Sequence, residues 1–490
     1  MADDVQSSPA DTPPGGPRAD DDQLRELGYR PELRRALGGM SSFALQFSTA
    51  CFSGAIVVAF LVGFGQVGPL SLWTFAGATV LQVVVAFCIA ELCSAYPLAG
   101  GVYQVVTRQA GRFLGWQVGW MIQIAHFASV GLGAVGLTPL ICNWFGVERL
   151  SHWQTVGVSA LIILATTLLN LLRVKLVALL NNVGVVSELL ASGAIVVGCG
   201  AAFLFFGQPH RPMGFLFTDA GVVQGSVVLP LIFSCLLSAF IVSGFDVSGT
   251  AGEETHNASR SVPVMAVSAN ILTLIVGSLV LFVLMLGISS VDGTLNSASP
   301  VKYILAPILG TPFATAIEVL AVFSLFVNGM VVQLAGARVL WAQGRDGAFV
   351  GARLLKRLSR ERVPVTGVLV SGAIALLFIV YSAVFQVLAA ILAVTWALSY
   401  AASTAVGIRS RIRGSLPERS FTLRGGPFWY IVATIWSLML VAFLIYQDPV
   451  KVGCGTLGVI VIGVVLYFTA HARDERAPEE AVTPPRPVAR

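Results

Sequence analysis

The segment 240–254, FIVSGFDVSGTAGEE, sets Gly244, Gly249, Gly252, Ser243, Ser248, Thr250 and Asp246 inside a stretch otherwise apolar enough to cross a bilayer. A membrane helix broken at mid-depth frees backbone N–H and C=O groups that hydrocarbon cannot satisfy, so the break must line a cavity or meet a ligand. An ionisable side chain at that depth is functional by default. Discontinuous helices near the midplane characterise secondary transporters, and no other feature constrains this chain as tightly.

The break matters only if the surrounding chain is in a membrane, and composition settles that. Of 490 residues, 56% are hydrophobic and 11% charged, and the mean hydropathy of +0.82 excludes a water-soluble domain. Apolar runs of roughly 18 to 30 residues number about twelve. Their approximate limits are 39–65, 70–93, 113–142, 154–172, 177–206, 228–252, 264–290, 313–342, 365–383, 384–408, 428–446 and 452–470. The expected fold class is an all-α integral membrane protein.

Alternating loops sort the basic residues by side. Arg18, Arg25, Arg30, Arg34, Arg35, Arg108, Arg112, Arg173, Lys175, Arg260 and the clusters 338–362, 409–424 and 473–490 fall on one side; Arg149, Arg211, Lys302 and Lys451 fall on the other. That is 26 against 4 of the 30 Lys plus Arg. The positive-inside rule then puts both termini in the cytoplasm, as expected for a multi-pass protein of the plasma (inner) membrane. The net charge of +5 reports this orientation and carries no nucleic-acid inference. Polar residues precede the first apolar run, so no secretory signal is expected, and 1–36 and 471–490 read as disordered tails. The seven cysteines lack metal-ligand spacing and read as small apolar residues.

Two spans carry matching interruptions. The first holds Ser48-Thr49-Ala50-Cys51-Phe52-Ser53-Gly54-Ala55 near its centre, and the sixth holds Gly244 at comparable depth. Five spans begin with each, from opposite sides, so any repeat of 37–206 in 228–408 is inverted, with 428–470 outside it. Half-helix N-termini offer N–H donors to an anion and half-helix C-termini offer carbonyls to a cation, which suits a carboxylate joined to an amine. Ser53-Gly54 also fits a second description, a small pair packing two helices closely.

Three ordered motifs resemble the amino acid-polyamine-organocation transporter superfamily. Residues 89–103, IAELCSAYPLAGGVY, are similar to its signature at the end of the second helix. The GFD at 244–246 with EETHNASRSVP at 253–263 resembles its sixth-helix pattern, and AQGRDGA at 342–348 its loop after the eighth helix. GWQVGW at 115–120 and a carboxylate in the fifth span point toward the amino acid and choline transporter branch. The resemblance implies a leucine-transporter-like five-plus-five inverted repeat with helices 1 and 6 interrupted. It also implies uptake by alternating access, with no cofactor beyond a driving H+ or Na+ gradient.

Carried over by position, the resemblance puts Thr49, Ser53, Gly54 and Ala55 at the unwound first helix, where backbone N–H groups bind a substrate carboxylate. Phe52 departs from the family pattern by replacing a glycine. It puts Ser243, Gly244 and the acidic gate residue Asp246 at the sixth-helix break, with Phe240 as the aromatic that closes over substrate. Aligning Asn181-Asn182 with the start of the family's fifth helix puts Glu188 where some proton-driven members carry a lysine.

The intramembrane polar residues are few enough to weigh singly. Glu188, near mid-span, must be protonated or paired, because a bare charge there is expensive. It could carry a proton, bind a substrate ammonium or pair with a polar neighbour. His126 suits proton transfer or hydrogen-bonded packing. Glu91 reads as an inner-gate or packing residue near an arginine, and Glu253 and Glu254 as solvated or arginine-paired. Glu318 reads as an acid of the outer vestibule or the interface. Thr395, Trp396, Ser399 and Tyr400 form a stripe suited to an outer gate or to helix contact. The expected partner is a small amino acid or amine, with oligomeric state open. The expected function is secondary transport without enzymatic chemistry; the alternative is a non-transporting amino-acid sensor of the same fold.

Overall fold

The computed structural model describes residues 17–147, 149–172, 174–349, 351–381 and 385–474. In chain order its helices are α1 (Pro17–Glu26), α2 (Gly39–Ala50), α3 (Phe52–Val67), α4 (Ser71–Ala95), α5 (Val102–Ala110), α6 (Arg112–Trp144), α7 (His152–Leu171), α8 (Val174–Phe205), α9 (Val228–Ser234), α10 (Leu236–Ile241), α11 (Val247–Thr250) and α12 (Ala258–Leu286). They continue as α13 (Val291–Leu295), α14 (Pro300–Leu309), α15 (Thr311–Arg345), α16 (Ala352–Leu355), α17 (Val365–Tyr381), α18 (Phe385–Arg413), α19 (Phe428–Gln447) and α20 (Cys454–Asp474). Among the described residues, the pairing outside helices is a single parallel bridge between Leu37 and Thr255.

Nine stretches of the described residues are long and apolar enough to cross a membrane. The first, Gly39–Ala95, has 57 residues and contains α2, α3 and α4, which is length for two crossings. Val228–Ile241 and Val365–Tyr381 are shorter apolar helices. Large apolar side chains on the periphery stay uncovered, among them Leu161 and Leu377, each 67% exposed, and Val197, 70% exposed. Such a surface is costly in water and natural against lipid. The chain is a multi-pass membrane protein.

The interior is packed by α6, α15 and α18 on one side and α2, α4 and α12 on the other, with α3 and α10 between. Phe47, Phe52, Phe60, Phe64 and Phe75 are fully buried there. Local signals set several boundaries. Ser151 and Gln154 form a reciprocal capping box that starts α7. The sixth apolar stretch is more broken than expected, with α9, α10 and α11 in place of one helix interrupted once. The connection 291–309 was expected as a loop and carries α13 and α14.

Part of the expected N-terminal tail is ordered. Residues 17–36 form α1 and a strap in which Leu24 and Leu33 are buried. Asp20 accepts the Asn257 backbone N–H at 2.8 Å, and the Ala36 and Leu37 N–H groups donate to the Glu254 carbonyl. Low hydrophobicity suggested disorder, but two leucines and these tertiary bonds suffice to hold the strap. Residues 1–16, the 383/384 division between expected spans and the tail 475–490 lie outside the described residues.

Candidate functional site at two broken helices

The first break falls at Cys51, which joins α2 to α3 with φ 34° and ψ 51°. This left-handed conformation costs a non-glycine residue about 1–2 kcal/mol. Neighbouring helices over-determine it. At the α2 end, the Asn328 side-chain amide of α15 donates to the Ser48 and Thr49 carbonyls, at 2.8 and 2.7 Å. At the α3 start, the Ser53 N–H donates to Glu188 Oε1 of α8. Glu188 Oε2 accepts from Ser324 Oγ of α15 and, at 3.5 Å, from the Cys51 thiol. An anionic oxygen at a helix N-terminus is the arrangement that the helix dipole favours.

This geometry corrects the sequence expectation for span 1. Ser53 and Gly54 lie within the first turn of α3, and the unwound residue is Cys51, which had read as a bland small side chain. Gly54 packs against α15: a Cβ there would come within 2.7 Å of the Ala321 carbonyl oxygen and 2.9 Å of Leu325 Cβ. It is a close-approach glycine. Ala55 continues the helix, its N–H bonded to the Cys51 carbonyl at 2.8 Å.

The second break runs from Val242 to Asp246, between α10 and α11. Gly244 has φ 69°, and a Cβ there would stand 2.5 Å from Thr49 Cγ2 and 3.4 Å from the Trp396 ring. Only glycine fits, and the two breaks therefore face one another through Thr49. Gln46 of α2 bridges them, donating to the Gly244 carbonyl at 3.1 Å and accepting from Ser248 Oγ at 3.2 Å. Tyr400 of α18 accepts the Phe245 N–H at 3.0 Å and donates to Asp246 Oδ1 at 2.9 Å.

Asp246 Oδ2, both His126 ring nitrogens and Trp396 Nε1 are buried without a hydrogen-bond partner. His126 Nε2 lies 3.7 Å from Asp246 Oδ2, and the His126 and Trp396 rings meet edge to face at 5.8 Å. His126, Asp246, Trp396, Gly244 and Thr49 thus share one buried locus contributed by α6, the α10–α11 break, α18 and α2. A carboxylate, an imidazole and an indole N–H converging in one buried place can receive a ligand or a proton.

Other sequence candidates stand elsewhere. Phe240, one turn before Gly244, is half-buried and packs edge to face on Phe385 at 5.7 Å, at the start of α18. Ser243 bonds back to the Phe240 carbonyl, and Thr395 and Ser399 bond back along α18. Glu318 is not an exposed interfacial acid. It is 3% exposed and bound by Ser299, Trp144 at 2.9 Å and Lys302 at 3.2 Å.

At the Arg-rich end, the three sequence motifs converge. Glu91 is held by Arg411 at 2.9 Å, Arg419 at 2.7 Å and the Tyr430 hydroxyl at 3.0 Å. Glu253 accepts the Ala99 N–H at 3.0 Å and pairs with Arg345 at 2.9 Å, while Glu254 takes a two-pronged bond from Arg338. Asp346 accepts from Tyr103 and Gln104, and the strap adds the Tyr29 hydroxyl at 3.0 Å. Burial, then the Asp346 charge, pushes the Tyr29 phenol above its ordinary range, so it acts as a neutral donor.

Sequence reading missed Gln46, Ser324 and Asn328. Ser324 and Asn328 are four residues apart in an apolar span, hence on one helix face, and that spacing was a usable signal.

A family profile described as "Amino acid permease" matches residues 37–467. The chain is 25% identical over 388 residues to the amino-acid permease BAT1 homolog of Oryza sativa subsp. japonica, covering 72% of this chain and 73% of that protein. It is 27% identical over 439 residues to a putative amino acid/polyamine transporter of Macrophomina phaseolina, covering 82% and 91%. To the thiamine transporter thi9 of Schizosaccharomyces pombe it is 24% identical over 414 residues, covering 74% and 69%. The chain belongs to the amino acid permease family of membrane transporters.

Proposed function

We propose that the protein is a secondary active transporter that moves an amino acid or related amine across the plasma membrane by alternating access. In this reading twelve spans form an inverted five-plus-five repeat, 37–206 and 228–408, followed by two further helices, with both termini cytoplasmic. The observation that carries it is the meeting of two broken helices through Thr49 and Gly244, beside the unpartnered Asp246 Oδ2, His126 and Trp396. The relatives named as amino-acid permease, amino acid/polyamine transporter and thiamine transporter support a small nitrogenous substrate.

Alternating access needs two barriers that open in turn. The ion pairs of Glu91, Glu253 and Glu254 with Arg411, Arg419, Arg345 and Arg338 serve as the cytoplasmic one. Phe240 against Phe385 serves as the outer one. A proton gradient drives uptake, with Glu188 as its carrier: its bonds to the α3 N-terminus, Cys51 and Ser324 tie its state to the first break. Counterflow in proteoliposomes with labelled amino acids, γ-aminobutyrate, choline and polyamines tests the reading. Accelerated uptake of at least one labelled compound into preloaded vesicles is expected. Saturable binding without any flux would favour a sensor instead.

A further inference from the structure

Two buried acids, one at each break, lack the cationic partners that other buried acids of this chain possess. Glu91 has Arg411 and Arg419, Glu253 has Arg345, Glu254 has Arg338 and Glu318 has Lys302. Glu188 and Asp246, each 1% exposed, have no Lys or Arg within ion-pair distance among the described residues. Glu188 contacts only neutral donors, and Asp246 has the Tyr400 hydroxyl and the more distant His126 ring. A buried carboxylate needs a compensating charge or a proton, and a bound cation would supply the charge.

The place for an anion is also taken. A substrate carboxylate at the first break would need the N–H groups at the start of the 16-residue α3, and Ser53 N–H already donates to Glu188. Protonating Glu188 would remove its charge but not its occupancy. The unpartnered Asp246 Oδ2 lies at the opposite break, with the Trp396 ring close to Gly244. A carboxylate and an aromatic ring that both adjoin His126 can together receive ammonium or another organic cation.

We infer that the substrate is an organic cation without a free carboxylate, because Glu188 stands where a substrate's own carboxylate would sit and leaves Asp246 and Trp396 to receive the positive charge. The inference rests on the transport reading above and narrows it to decarboxylated amines and quaternary ammonium compounds.

Matched pairs that differ at the carboxylate test it in the full-length protein in proteoliposomes: agmatine against L-arginine, cadaverine against L-lysine, putrescine against L-ornithine and choline against glycine betaine. In counterflow, the member lacking the carboxylate should be preferred at least roughly tenfold in one or more pairs, as expected when like charges would meet in a buried site. Glu188→Ala, which frees the Ser53 N–H, should raise affinity for the carboxylated partner of that pair. Preference of the wild type for the carboxylated member overturns the inference and leaves the transport reading standing. A folded Glu188→Ala protein with no gain for the carboxylated partner removes Glu188 as the occupant of the anion seat. Absence of flux for all eight compounds overturns the inference, and the transport reading falls only if the wider panel above shows no flux either. The wild-type panel decides the substrate class even if the variant does not fold.

Discussion

Glu188 Oε1 accepts the backbone N–H of Ser53, so an acid of α8 caps the helix that restarts after the first break. The same side chain accepts from Ser324 of α15, so it touches two helices at the first break. In the proposed transport cycle its protonation is coupled to both.

Glu188→Gln tests this coupling. The amide preserves shape and an acceptor for Ser53 but cannot gain or lose a proton at working pH. Acid outside should no longer accelerate net uptake, whereas exchange of substrate across the membrane should persist. Concentrative uptake by this variant on a proton gradient, or sodium dependence without pH dependence in the wild type, would remove Glu188 as the proton carrier.

Gly54→Ala should lower stability and spare selectivity. Its Cβ would press on the Ala321 backbone, which cannot swing aside, and overpacking of this kind costs about 1–3 kcal/mol. A lower melting temperature with an unchanged order of substrate preference is expected in purified protein. An unaltered melting temperature with selective loss of one substrate class would return Gly54 to the binding site.

Glu91→Gln should loosen the cytoplasmic barrier. It leaves Arg411 and Arg419 without their acid, at a cost of about 3 kcal/mol, the lower end for a buried pair because both guanidiniums reach water. Cys93, buried against Gly249, should label faster with a maleimide from the cytoplasmic side when the remaining cysteines are replaced. Equal labelling rates would show that these pairs do not hold the barrier shut.

Phe240→Ala should weaken apparent substrate affinity about tenfold, since full burial of an aromatic side chain is worth a few kcal/mol and contact with substrate supplies part of it. Transport kinetics with matched membrane levels of protein measure it. Unchanged affinity would confine Phe240 to packing against Phe385.

Ser359→Cys and Ser415→Cys probe orientation, because both positions lie in Arg-rich connections. In intact cells each should resist an impermeant thiol reagent and react after permeabilisation. Labelling of either in intact cells would reverse the orientation.

Periodicity and composition determined the membrane class of this chain, because burying a helix in lipid requires apolar residues along its whole length. The glycine and hydroxyl cluster around Gly244 marked the second break for a local reason: a positive φ beside Thr49 and Trp396 admits only glycine. The motif residues Glu91, Glu253, Arg345 and Asp346 were also readable as charges near span ends. Their partners were not, since Glu91 meets Arg411, Glu253 meets Ala99 and Arg345, and Asp346 meets Tyr103 only in three dimensions.

The first break was decided by the tertiary structure. No glycine marks Cys51, and Ser53-Gly54 looked like the better hinge. What holds Cys51 in its left-handed turn is Asn328 on the carbonyls before it and Glu188 on the N–H after it, two side chains more than 130 residues away in sequence. Orphan backbone groups at a broken helix must find partners somewhere, and the sequence of the break itself does not say where. For the same reason Glu188 could be read from sequence as a costly acid at mid-depth, but only packing showed that it caps the N-terminus of α3.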